Sequence, residues 1–347
     1  MEIKLKIKRT THSFIKILEN LNLKKELSDL DYDKLVIVAD SMAKPFLKRK
    51  INSYPVFELQ PLSNKNLSEL SSILNFFAKN KLTRNSIVLA FGGGKVSDIV
   101  GLASSLYMRG IRWISVPTTF LSQIDASIGG KTAIDFNGIK NLLGTFHFPV
   151  LVLIDWEFPL KQNKTFFNGI GEMVKYILIT PQKTSEKLKK LLPSVITKNP
   201  QAIKSSINLC VKFKTDIVQK DPFDSNGKRE ILNFGHTPAH AFEKLYDISH
   251  GDAVYYGVIY EVLLSKNLGL INYKKEKFSE IFKIYEPAFP FKKSDFKRFS
   301  ELITYDKKNK GSNNYFLVLK KKKIKPAINI DPSILSKTYE ELCEKKY

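Results

Sequence analysis

A chain of 347 residues with 43% hydrophobic content has enough apolar side chain for two packed domains and is too large to be one small module. Its two cysteines, Cys210 and Cys343, exclude a disulfide framework or a CxxC metal site, and no run of about 18 uncharged apolar residues offers a membrane span. The net charge of +22, from 56 Lys plus Arg against 34 Asp plus Glu, would attract polyanions, but the lysines are scattered over the whole chain. No zinc-finger spacing, RNP-like aromatic strand or separate basic arm accompanies them, so nucleic acid is not the expected partner.

Residues 1–8 alternate like a strand and lack a signal peptide's apolar run, and the chain is expected to be cytoplasmic. Residues 35–39 and 86–91 are short apolar runs opening into Asp40-Ser41 and Gly92-Gly93-Gly94, the form of buried parallel strands. Between them Leu67, Leu70, Ile73, Leu74 and Phe77 fall at helical spacing. Further apolar runs at 113–116 and 150–154 end in Pro117-Thr118-Thr119 and Asp155. This pattern predicts an α/β fold: an N-terminal Rossmann-like open parallel sheet domain over residues 1–157, with ligands at the strand C-terminal ends. From residue 158 helical periodicity takes over, at 170–179, 188–197, 201–218, 238–245 and 252–268, which predicts a C-terminal mainly α-helical domain over 158–347. Near the end, the strand-like Tyr315-Phe-Leu-Val-Leu is followed by a lysine run, Lys320 to Lys323 with Lys325, that fits an edge strand guarded by charge.

Phe91-Gly-Gly-Gly-Lys-Val-Ser-Asp98 follows a strand and opens a helix, where backbone N–H groups can cradle a pyrophosphate and a Cβ would hold it away. Alone it is equally a plain glycine turn. It is followed in order by Tyr107-Met-Arg-Gly, Val116-Pro-Thr-Thr, Gln123-Ile-Asp-Ala-Ser-Ile-Gly-Gly-Lys-Thr132 and Lys140-Asn-Leu-Leu-Gly-Thr-Phe. Then come Gly171-Glu-Met-Val-Lys-Tyr176, Lys214, Arg229-Glu-Ile-Leu-Asn-Phe-Gly-His-Thr-Pro-Ala-His240, His250-Gly-Asp-Ala-Val and Asp306-Lys-Lys308.

This ordered series resembles the 3-dehydroquinate synthase family over most of the chain. The resemblance implies NAD contacts from Asp40, Lys65, Gly92, Gly93, Gly94, Lys95, Asp98, Thr118, Thr119, Asp125, Lys140 and Asn141. It implies substrate or catalytic roles for Arg109, Asp125, Lys131, Lys140, Asn141, Lys175, Lys214, Arg229, Asn233, His240 and Lys308, with Lys307 as the alternative to the last. Most of these would surround a small anionic sugar acid phosphate, and Arg109 and Arg229 have the planar fork that grips anionic oxygens bidentately. The family's reaction is a phosphate-eliminating cyclisation of the shikimate pathway, a lyase activity that leads to chorismate and aromatic amino acids. A homodimer and a divalent ion, Zn2+ or Co2+, belong to the same expectation.

The metal set also has a physical argument, because Glu172, His236 and His250 supply one carboxylate and two imidazoles, which leaves positions open as a catalytic zinc requires. Any one of them alone reads as a surface Glu or a satisfied His. Three of the five histidines, however, fall within 15 residues beside glycine turns. Thr237-Pro238 has the form of an N-cap followed by proline at the first helical position, which predicts His236 outside the helix and His240 within its first turn. The two would then take different partners; the resemblance gives His236 to metal and His240 to substrate. Glu172 and Lys175, three apart, share a helical face.

Three other readings compete. A sibling sugar-phosphate cyclase would share fold and cofactors, though Lys131, Arg229, Asn233 and His240 fit the dehydroquinate branch better. A glycerol-dehydrogenase-like metal-dependent alcohol dehydrogenase is suggested by the GGGK turn, but that group's metal set usually uses Asp. A basic nucleic-acid-binding protein would show salt-sensitive affinity for DNA or RNA. Several positions depart from the family: Lys95 and Ser97 replace a valine and a glycine of the turn, Leu62 stands where a ribose-binding Glu is expected, and Pro222 follows Asp221 in place of an acid. The segment between His240 and His250 is also shorter than is common.

Overall fold

The computed structural model describes residues 12–40, 54–60, 65–288, 290–304, 314–321, 323–345 and 347. The strand expected at 1–8, Leu62, Lys307 and Lys308 lie outside the described residues. The chain divides into two compact units, Met1–Thr118 with Ala126–Trp156, and Thr119–Asp125 with Glu157–Tyr347.

The first unit is built on a six-stranded parallel sheet: β1 (Phe14–Leu18), β2 (Leu35–Asp40), β3 (Val56–Leu59), β4 (Ile87–Gly92), β5 (Arg112–Pro117) and, beyond a hairpin, β8 (Leu151–Asp155). Their spatial order is β1-β8-β5-β4-β2-β3. Nearly every residue of β2, β4, β5 and β8 is buried, which is why these strands read as continuous apolar runs instead of alternating ones. The helix Leu67–Lys79 starts where Asn66 Oδ1 accepts the Glu69 N–H at 3.0 Å, and it buries Leu70, Ile73 and Phe77. These pack with Val96, Ile99, Val100 and Ala103 of the helix Gly94–Leu106 against Val36, Val38, Val88 and Ala90 of the sheet. Each of the Val, Leu, Ile and Phe side chains among them contributes roughly 1.5–3 kcal/mol of burial. From β2 the chain continues to β3 on one side, while β4 and β5 lie on the other, so the strand order reverses between β2 and β4. Such a reversal places a ligand crevice at the C-terminal ends of β2 and β4.

An antiparallel pair, β6 (Lys131–Phe136) and β7 (Ile139–Phe146), was not foreseen in the sequence. The face of β7 is mostly exposed, so it lacks the apolar alternation that marks a strand. A signal was present nonetheless: Asn137 and Gly138 both take positive φ, 49° and 74°, as the two-residue turn of a tight hairpin requires.

The second unit is helical, with Lys164–Ile179, Gln182–Ile196, Pro200–Lys220, His236–Tyr246, His250–Asn267, Phe296–Thr304 and Pro332–Cys343 as its longer helices. His250–Asn267 is its axis and is buried nearly all round, so it shows no polar stripe. Among the described residues the strand at 315–320, β9, pairs with β10 (Lys323–Ile328) alone, and Lys323 and Lys325 are exposed along an edge. A single cut between 157 and 158 misses one feature, because Thr119–Asp125 packs with the helices: Phe120 stacks on Phe166 with ring centroids 5.1 Å apart.

Candidate active site

Two close glycine contacts assemble a three-residue cluster in the helical unit. A Cβ on Gly171 would come within 1.9 Å of the Gly251 carbonyl oxygen, so the helices Lys164–Ile179 and His250–Asn267 meet backbone to backbone. The next residue of one is Glu172, and the residue before the other glycine is His250. Nearly two turns along the same axis, a Cβ on Gly257 would sit 2.0 Å from the Gly235 carbonyl, which brings the neighbouring His236 in. Side chains larger than hydrogen at these positions would force the three elements apart.

The result is convergent. Glu172 Oε1 lies 3.4 Å from His236 Nε2 and 3.3 Å from His250 Nε2. The donor atoms of the three all fall within 4.8 Å of one another. Those separations are long for hydrogen bonds but match the edge of a tetrahedron whose centre-to-ligand distance is about 2.0–2.1 Å, an edge of about 3.3–3.4 Å. The donor set therefore fits a divalent ion of the zinc type. Burial opposes the Glu172 carboxylate, but Lys175 holds it well below the usual range. Burial also opposes the charged form of His250, yet Glu172 and Glu243 raise its imidazole to about 9, so an ion bound there would displace a proton. Burial also pushes the His236 imidazole down to about 4, which keeps it neutral as a ligand must be. His250 is the most open of the three at 36% exposure.

Each imidazole has its second nitrogen engaged. His250 Nδ1 stands 3.1 Å from Glu243 Oε1, and His236 Nδ1 stands 3.3 Å from the Phe234 carbonyl. Glu261, fully buried, accepts the Gly235 N–H at 2.5 Å and the Leu317 N–H at 3.1 Å, which pins the turn that delivers His236.

Around the cluster lies a balanced set of buried charges. Lys175 pairs with Glu172 and stands 3.8 Å from Asp125 Oδ1. Lys214 donates to Asp125 Oδ1 at 2.9 Å and to the Asp125 carbonyl at 2.6 Å. Burial would raise the Asp125 carboxyl, but Lys175 and Lys214 outweigh it and hold it down to about 2. Burial, partly offset by Asp125, pulls the Lys214 ammonium down, and nearby Arg229 adds to that. Tyr176, to which the motif order assigns no role, has a fully buried ring whose hydroxyl donates to Asp125 Oδ1 at 2.6 Å. Arg229 is 4% exposed in the turn Lys228–Asn233, which also carries Asn233. Asp221 holds this turn by accepting from the N–H groups of Ser225 at 2.8 Å and Arg229 at 3.2 Å. Thr119 exchanges hydrogen bonds with Ser122 in the segment that carries Asp125.

One expectation requires correction. The helix begins at His236, not after it, because Gly235 takes the cap position at φ 82° and ψ −13°, a left-handed conformation that glycine adopts without strain. Thr237 and Pro238 therefore sit in the first turn. His236 and His240 are one turn apart on a shared face, with ring centroids 6.0 Å apart. Sharing a face does not make them a ligand pair, since His240 stands outside the convergent set. Glu243, seven residues past His236, continues that face and could have been found by the same helical spacing.

In the sheet unit the glycine turn has the expected form. A Cβ on Gly92 would meet Val96 Cγ2 at 2.5 Å and Asp40 Oδ2 at 2.6 Å, and Gly93 caps the helix with no side chain over its N-terminus. Asp40 Oδ2 accepts the Gly93 N–H at 3.3 Å. The Gly93 N–H is thereby engaged, and the N–H groups of Gly94 and Lys95, the first two residues of the helix, stand where a phosphate could meet a helix N-terminus. Lys95 is exposed in the first helical turn, and the departure at Ser97 is accommodated because its hydroxyl turns back to the Gly94 carbonyl at 2.9 Å. Lys65 bridges Asp98 Oδ2, at 2.5 Å, and the Asn141 side chain, while Asp135 Oδ1 accepts the Asn141 N–H at 2.8 Å. Thr118 donates its N–H to the Gly92 carbonyl at 3.0 Å. Lys131, Lys140 and Arg109 are exposed, Arg109 in a turn where it and Met108 take φ of 66° and 49°.

A glycine-cradled parallel sheet joined to a helical unit with a Glu-His-His set defines a class of fold. The same fold is found in 2-epi-5-epi-valiolone synthase from Streptomyces hygroscopicus subsp. jinggangensis 5008, solved with NAD+ and Zn2+ bound: the TM-score is 0.86 at 21% identity, over 99% of this chain and 100% of that one. It is found also in a 2-deoxy-scyllo-inosose synthase complexed with carbaglucose-6-phosphate, NAD+ and Co2+, with a TM-score of 0.79 at 22% identity over 94% and 96% of the two chains. Sequence is more specific than fold. Residues 60–166 match the family model described as 3-dehydroquinate synthase N-terminal and residues 169–309 the one described as 3-dehydroquinate synthase C-terminal. The 3-dehydroquinate synthase of Parabacteroides distasonis is 36% identical over 319 residues, 86% of this chain and 89% of its own. The chain belongs to the 3-dehydroquinate synthase family. Among the described residues no helix is long and apolar enough to cross a membrane.

Proposed function

We propose that this chain is a 3-dehydroquinate synthase, converting 3-deoxy-D-arabino-heptulosonate 7-phosphate to 3-dehydroquinate and phosphate by oxidation, phosphate elimination, reduction and aldol closure. The observation that carries the reading is the convergence of Glu172, His236 and His250 at separations of 3.3 and 3.4 Å within a chain of this family. NAD supplies a reversible hydride acceptor, and Zn2+ or Co2+ bound by the three residues polarises the substrate alcohol. The helical unit, residues 158–347 with the Asp125 segment, is then the metal- and substrate-binding domain, and the sheet unit the NAD-binding one.

The chain's own groups bind and orient. Lys175 and Lys214 bring buried positive charge beside Asp125, a setting that strengthens their hold on substrate oxygens. Arg229, pre-set by Asp221, offers a bidentate grip on a carboxylate. His240, on the ligand helix but outside the ligand set, hydrogen-bonds substrate or moves its proton. Asn233, Arg109, Lys131, Lys140 and Asn141 are assigned to substrate or cofactor by their place in the motifs. A lyase of the shikimate pathway, acting as a cytoplasmic homodimer, completes the proposal. Its test is phosphate release from the heptulosonate phosphate with NAD and Zn2+. The reading expects phosphate and cyclic product without accumulation of NADH; stoichiometric NADH from a simple alcohol, with no phosphate released, would make the chain an alcohol dehydrogenase.

A further inference from the structure

One helix carries a metal ligand and also a carboxylate aimed at the other histidine. His236 opens the helix His236–Tyr246, and Glu243 lies two turns on along the same face. The Glu243 side chain is 6% exposed, with Oε1 3.1 Å from His250 Nδ1. Across the same ring, Nε2 lies 3.3 Å from Glu172 Oε1. The corresponding Nδ1 of His236 meets a backbone carbonyl instead, that of Phe234 at 3.3 Å. The two imidazoles therefore differ in kind, one held by a full negative charge and one by a neutral dipole. Exposure differs too, since the His250 side chain is 36% exposed and that of His236 14%, so packing restrains the His250 ring less.

We propose that Glu243 is the positioning residue of the metal site: it accepts the His250 Nδ1–H, fixes the tautomer that leaves the Nε2 lone pair for metal, and makes His250 the stronger of the two nitrogen donors. A single helix then sets one ligand directly and the other through its carboxylate. The inference rests on the reading of Glu172, His236 and His250 as the ligand set.

Zinc affinity by competition with a chromophoric chelator tests it in the full chain and in Glu243→Gln, Glu243→Ala and His250→Ala. The melting temperature of the metal-free proteins and the visible spectrum of the Co2+-loaded ones are read alongside. E243A is expected to bind zinc about 10–100-fold more weakly. E243Q, which keeps an acceptor but no charge, should fall between, with shifted cobalt bands and a metal-free melting temperature close to the parent's. If E243A proves too unstable to assay, E243Q alone decides through its affinity and cobalt spectrum. Zinc affinity within twofold of the parent in E243A and E243Q, with parental cobalt bands, overturns the inference. A fall in metal-free melting temperature with parental cobalt bands overturns it as well, since that is the mark of a packing role. Parental zinc affinity in His250→Ala removes the ligand reading beneath it, whereas loss there beside parental affinity in both Glu243 variants sinks this inference alone.

Discussion

Lys95 sits in the first turn of the helix Gly94–Leu106, where the helix dipole disfavours a cation unless an anion is bound nearby. With Gly93 leaving the N-terminus uncovered, the lysine is expected to contact the NAD phosphates. Lys95→Val should weaken NAD binding at low salt by roughly 0.3–1 kcal/mol, a factor of about 2–5, and the difference should shrink as salt rises. Equal affinity of variant and parent at both salt concentrations, by titration calorimetry, would show the lysine to be merely solvated. Tyr176 acts elsewhere: Tyr176→Phe removes a 2.6 Å donor from a carboxylate inside a buried charge set, which should lower stability by about 1.5–3 kcal/mol in denaturant unfolding. Unchanged stability would mean that Lys214 and Lys175 satisfy Asp125 without the hydroxyl. The sequence disclosed the residues that bring chemistry, because Glu172, His236, His250, Lys175 and Lys214 are reactive types in recognisable order. It hid Glu261 and the partners of Tyr176 and Glu243, because which carboxylate, backbone N–H or ring nitrogen each one faces is decided only when helices pack.

At the scale of elements, glycine contacts between helices do more than the turns do. Gly257→Ala would drive a Cβ against the Gly235 carbonyl, and the overpacking should destabilise the chain by about 1–3 kcal/mol while depleting metal, because His236 rides on the displaced turn. A variant with parental melting temperature and full metal content would contradict the assembly described. The turn at Arg229 gives a pH test. Burial works against the Asp221 carboxylate, but the N–H groups of Ser225, Arg229 and Asn226 hold it below the usual range. A lowered folded value means that its contribution is present above the unfolded pKa of about 3.9 and is lost as pH falls through the folded one. The melting temperature of Asp221→Asn should therefore lie below the parent's at neutral pH, with the gap closing in acid; a gap independent of pH would refute the carboxylate's role. Element types were legible where helical periodicity is strong, as at 67–79, or where an apolar run is unbroken, as at 35–39. The start of the ligand helix was not, since Thr-Pro is a good local cap and only the left-handed Gly235, locked by Glu261 and Val258, overrides it.

For the whole molecule, the +22 charge has no partner of its own in this account. Its functional share lies in the clustered cations, so substrate affinity should weaken as salt screens them over about 8–10 Å, and inorganic phosphate should compete with substrate but not with NAD. Tight, salt-sensitive duplex binding untouched by substrate would return nucleic acid to consideration. The claim on which fold, family and chemistry meet is that Glu172, His236 and His250 hold the metal while His240, on the same helix face, does not. Metal content by mass spectrometry of the purified alanine variants at these four positions, with NAD binding as the control for folding, measures it directly. The account predicts metal-free Glu172, His236 and His250 variants without turnover, and a His240→Ala protein that stays loaded while losing about 10²–10⁴-fold in rate. A metal-free His240→Ala beside a fully loaded His250→Ala would contradict it.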